Sequence, residues 1–114
     1  GINEIEAILN QLKSKDNVKE NIKKDFVEIL SNCTTSNHND VEYRKKDKLL
    51  FYYQKNENIF WFKYVIWSNF ESKYNLNYHE LKELLVGVVE DVLNYKEVTP
   101  FQLSRPTRYG WKIY

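Results

Sequence analysis

The chain has no methionine, a single cysteine (Cys33) and two prolines in 114 residues. One thiol excludes an internal disulfide framework and any cysteine-based zinc finger, and it fits a reducing compartment. With no methionine to start from, Gly1 is expected to be a boundary with further residues upstream. No run approaches 18 consecutive apolar residues, so no spanning helix is expected. The N-terminal stretch GINEIEAILNQLKSKD interleaves acids with aliphatics and does not set a basic region before a greasy one, which argues against a secretory leader. The formal net charge is only +1, from 17 basic and 16 acidic side chains. No overall field therefore draws the molecule to nucleic acid or to an anionic membrane, and any such attraction must be local. The expectation is a cytoplasmic protein with no membrane partner.

What the chain does have is rings. Hydrophobic residues make up 42% and charged residues 29%, a balance that folds as an ordinary domain, and the length suits a single one spanning 1–114. Nine Tyr, six Phe and three Trp are present, and ten of these 18 fall between Phe51 and Tyr74. So dense a cluster makes either a core or a contact surface.

Ile2, Ile5, Leu9 and Leu12 recur at three- and four-residue steps, the spacing of one helix face. The spacer Lys13 to Asp16 shifts that phase, and Asn17 with Glu20 has the form of a capping box. Val18, Ile22, Phe26, Ile29, Leu30 and Cys33 then form a second stripe, so residues 1–33 read as a helical hairpin. NCTTSNHND reads as a polar turn. VEYRK, LLFYYQ and NIFWFKY read as a three-stranded antiparallel meander over 41–64. Both of its faces are apolar, which calls for helices on both sides, or for helices on one and a partner on the other.

Ile66, Trp67, Phe70 and Tyr74 return to helical spacing, with Asn75 suited to a left-handed stop. Asn77 and Glu80 form a capping box ahead of YHELKELLVGVVEDVLNY, whose broad apolar side should pack on the sheet. Gly87 falls on its acidic face. Residues 98–114 carry Arg105, Arg108 and Lys112 and no acid, and read as an extended tail ending in a short strand at Trp111 to Tyr114. The fold class expected is α+β: helical hairpin, small sheet, two C-terminal helices over 65–95, and a basic aromatic tail.

Candidate chemistry is thin. The helix pair around Asn75 has a helix-turn-helix outline, but Glu80, Glu83, Glu90 and Asp91 would face phosphates. Cys33, His38 and Asp40 would need rigid placement and an acidified thiol to make a nucleophilic site. Cys33 reads better as the end of a buried stripe. No Gly-rich phosphate loop, His-x-x-x-His pair or nucleophile elbow occurs. No catalytic residue, metal site or cofactor is expected, and the chain reads as a non-enzyme.

Two kinds of surface remain. Tyr52, Trp61, Tyr64, Tyr109 and Trp111 are candidates for contact with another protein, or with a second copy in a homo-oligomer. Arg44, Lys45, Lys46, Lys48, Arg105, Arg108 and Lys112 are candidates for nucleic acid, because a basic rim around stacked rings is how single strands are often held. Solubilising lysines around a buried core explain the same residues.

In the segment from 67 to 100, Trp67, Phe70, Glu71, Tyr74, Leu76, Tyr78, Glu80, Val98, Thr99 and Pro100 follow a pattern of a Trp-led helix, a Leu-x-Tyr turn and a second helix closing before Val-Thr-Pro. It resembles small uncharacterised proteins of phage-type and mobile-element genomes. Those proteins often carry a Gly where this chain has Asn75. The resemblance implies a small accessory or regulatory protein that acts through contacts.

Overall fold

A computed structural model describes residues 1–98, 101–107 and 110–113, with the backbone alone at 11–16, 105–107 and 110–113. The fold is α+β. Its elements are α1 (Ile2–Ser31), β1 (Thr34–His38), β2 (Val41–Lys46), β3 (Lys48–Gln54), β4 (Ile59–Lys63), α2 (Tyr64–Tyr74), α3 (Tyr78–Leu93), β5 (Phe101–Thr107) and β6 (Gly110–Ile113). The strands form one mixed sheet in the order β1-β2-β3-β4-β5-β6. Every pair is antiparallel except β4 with β5, and that parallel pair is joined by α2 and α3, since parallel neighbours need a crossover longer than a hairpin turn.

Three expectations are corrected. The helical hairpin is one continuous 30-residue helix: residues 13–16 contain no Gly or Pro to break the backbone, so the phase shift rotates the apolar stripe without ending the helix. The three-stranded sheet has six strands. NCTTSNHND supplies β1, an edge strand with every side chain exposed, which pairs through backbone groups with β2 and needs no apolar residue to do so. The extended tail is β5 and β6, and β5 inserts beside β4 with Phe60 opposite Phe101 and Phe62 opposite Leu103. The two helices are therefore followed by strands.

The turns use asparagine where many chains use glycine. Among the described non-glycine residues, positive φ occurs at Asn39, Asp47, Asn58, Asn75, Asn94 and Glu97. Four of these six are Asn, whose short polar side chain tolerates the left-handed region. Asn75 closes α2 and Asn94 closes α3 in this way. At the start of α3, Asn77 Oδ1 accepts from the Glu80 N–H at 2.9 Å and Glu80 Oε1 accepts from the Asn77 N–H at 3.1 Å.

Strand alternation sorts the rings. Phe51, Tyr53, Phe60, Phe62, Phe101 and Leu103 face the helices and are buried with Ile22 and Phe26 of α1, Ile66, Trp67 and Phe70 of α2, and Leu81, Leu85, Val88 and Val89 of α3. Between Arg44 and Lys45 the register slips, leaving Leu50 without a partner on β2. Leu50 packs against the same core as its neighbour Phe51, and the bulge lets two consecutive residues do so. Phe26 lies at the centre, its ring 5.5 to 6.3 Å from those of Phe51, Phe60 and Phe62.

Candidate interaction surface

The other face of the sheet carries a transverse row. Ser36 pairs with Tyr43, Tyr43 with Tyr52, Tyr52 with Trp61, and Trp61 with Gln102. None of Tyr43, Tyr52 and Trp61, nor their same-face neighbours Val41 and Ile59, belongs to the core or packs against it. The rings instead pack on one another. Tyr52 and Trp61 are stacked at 5.2 Å and 9°, and Tyr43 lies 5.8 Å from Tyr52. Such cross-strand pairs stabilise the sheet locally. Trp61 Nε1 donates to Gln54 Oε1 at 2.5 Å, which fixes the indole, and Lys45 Nζ sits 5.6 Å from the centre of the Tyr43 ring. Burial, with Tyr43 as a second cause, pushes the Tyr52 hydroxyl up to about 12.

Of the other protein-contact candidates, Tyr64 opens α2 and is 43% exposed. Trp111 stands opposite Pro106 in the β5–β6 register, and Tyr109 lies outside the described residues. Tyr43 belongs to the row and was not singled out from the sequence. The signal for it was present, because a strand residue paired with Tyr52 must share its face, but the register was needed to read it.

The basic candidates divide. Arg44 is on the helix side and gives its guanidinium to Glu42 at 2.7 Å; Glu42 also accepts from the Tyr95 hydroxyl, whose ring stacks on Tyr53 at 3.9 Å. Burial first, and the Glu42 bond second, raise Tyr95 far above the usual tyrosine range. Lys46 and Lys48 flank Asp47 at the β2–β3 turn, and Arg105 is paired with Lys112 in the backbone register of β5 and β6. The register puts these at the end of the sheet where β4 gives way to α2. Arg108 lies outside the described residues.

Two adjoining hollows lie between α1, α2 and the β2–β3 turn. One, about 230 Å³, is lined by Asp25, Glu28, Ile29, Ile66, Asn69, Phe70 and Lys73. The other, about 290 Å³, shares Glu28, Ile29 and Ile66 and adds Asn32, Lys46 and Leu50. At the first, burial raises the Asp25 carboxyl, but hydrogen bonds from Lys73 (2.7 Å) and from Tyr74 outweigh it and hold the group below its usual value. Asp25 is thus an ion-pair anchor between α1 and α2.

Cys33 donates its thiol to the Ile29 carbonyl at 3.2 Å, and burial pushes its pKa up. His38 is at the opposite end of β1, so the Cys33–His38–Asp40 grouping is not brought together. Among the described residues no helix is long and apolar enough to cross a membrane.

Compared with protein-family models, curated proteins and solved structures, the chain matches none.

Proposed function

We propose that the chain is a small non-enzymatic interaction module, an accessory or regulatory protein of the cytoplasm, that docks another protein on the open face of its sheet. One observation carries the reading: the helices that pack on the sheet all enter one core, while Tyr43, Tyr52 and Trp61 form a row on the face away from it. Aromatic side chains are the residue class that most often anchors protein interfaces. The raised Cys33 thiol argues against a cysteine nucleophile and so supports a module over an enzyme.

The nucleic-acid reading is the weaker one on geometry. Bases stack on free ring faces, whereas Tyr52 lies between the rings of Tyr43 and Trp61, and Arg44 is committed to Glu42. The two readings separate by salt and by substitution. Affinity capture should retain a protein partner that survives moderate salt and is lost with Trp61→Glu. Identical captures from wild type and variant would defeat the proposal. Binding of a labelled oligonucleotide at low salt, lost steeply as salt rises, would favour the alternative surface of Lys45, Lys46, Lys48, Arg105 and Lys112.

A further inference from the structure

The N-terminal part of α1 carries four large aliphatic side chains into solvent: Ile2 is 76% exposed, Ile5 59%, Ile8 57% and Leu9 51%. Residues 1–10 are all exposed, and among the described residues the first α1 side chain to pack on the core is Val18. The segment projects. The radius of gyration is 15.9 Å, against about 13 Å for a compact chain of this length, and the long dimension is 57 Å against 28 and 25 Å for the others.

A helical stretch of this length with no tertiary cover is marginal in water, so its apolar side calls for a partner. That partner is not its own domain. At 3.6 residues per turn the stripe of Ile2, Ile5 and Leu9 is centred roughly 100° around the helix from Ile22 and Phe26, which enter the core. Continued by Leu12 in the sequence, its spacing is 3-4-3, the seam of a two-helix coiled coil, with Ile8 widening one flank.

We propose that this projecting segment pairs with the same segment of a second copy and makes the protein a homodimer. A heptad seam is complementary to itself, and a twofold pairing of identical stripes closes without exposing a further surface. Each stripe offers apolar area of a few hundred Å², the size at which a patch marks an interaction site. Two stripes approach the roughly 1,000 Å² at the low end of specific interfaces. Electrostatics do not oppose it, since residues 1–16 carry Glu4, Glu6 and Asp16 against Lys13 and Lys15. The surface is separate from the aromatic row, so the dimer stands or falls independently of the docking face.

Sedimentation velocity of the full chain, from micromolar to submillimolar, tests this. The expected result is a concentration-dependent dimer that Ile5→Glu with Leu9→Glu converts to monomer, with a fall in helicity and an unchanged near-ultraviolet circular dichroism from the core. Ala7→Lys, on the opposite side of the helix, should leave the dimer intact. A wild-type chain that stays monomeric throughout overturns the proposal, including one whose stripe is covered only by some other protein. So does a dimer that survives the double substitution with its core signal intact.

Discussion

Tyr52 links a single hydroxyl to the stability of the whole sheet. In the unfolded chain it would ionise near the ordinary tyrosine value of about 10, whereas burial carries it up to about 12 in the folded one. The folded state thus holds its proton where the unfolded state has lost it. The stability involved is complete below about pH 10 and is lost as pH rises toward 12. Tyr53, Tyr74, Tyr78 and Tyr95 are shifted in the same direction, each with burial as its leading cause, so the alkaline fall should be steep. Tyr52→Phe should make the decline of the urea midpoint across that interval shallower without removing it. An unchanged slope would mean that Tyr52 titrates normally. The candidate surface was partly legible at this scale: Tyr52 and Trp61 could be named because rings stand on both faces of β3 and β4, more than one layer of helices covers. Arg44 was named by its charge alone; its pairing with Glu42, two residues earlier on the same strand and so on the same face, leaves it committed.

Among the elements, α3 gives the clearest account of a residue that puzzles in sequence. A Cβ added at Gly87 would come within 2.9 Å of Lys19 Nζ and 3.0 Å of Lys19 Cε, so what crosses there is the end of a flexible side chain and not another backbone. Lys19 is held by a partly exposed ion pair with Asp91 at 3.4 Å, a contact worth under about 1 kcal/mol. Gly in a helix interior costs about 1 kcal/mol relative to Ala. Gly87→Ala should therefore stabilise the protein by about 0.5 kcal/mol, seen as a higher urea midpoint; a lower midpoint would show that Lys19 cannot move aside. The elements that were legible, β3, β4, α2 and α3, announce themselves by short runs of β-branched and aromatic residues between polar turns, by helical spacing, or by caps such as Asn77 with Glu80. β1 was hidden because TTSNH has no apolar residue, and an edge strand needs none. The interruption expected in α1 arose from reading a turn of the apolar stripe as a turn of the chain.

For the molecule as a whole, Phe26 is the side chain through which α1 holds the sheet. It is fully buried, and its ring meets those of three residues on two strands. Phe26→Ala should cost about 3–5 kcal/mol, a large share of the roughly 5–15 kcal/mol that keeps a domain folded. Thermal and urea unfolding should both report the loss, and a shift of less than about 1 kcal/mol would mean that α1 is secured elsewhere. The α+β class was legible because helical spacing and short β-branched, aromatic runs occupy separate stretches. The joining of β5 to β4 was not, since nothing local in residues 101–107 specifies a partner that lies before two intervening helices.

That late pairing bears on how the protein comes into being. Synthesis proceeds from the N-terminus, so β1 through β4 can close as successive hairpins while the chain is still growing. The flank of β4 that carries Phe60 and Phe62 must then wait for Phe101 and Leu103, the last part of the core to be made. Until they arrive, the nascent chain presents an open greasy strand edge. It is in this interval that the protein has most need of a chaperone.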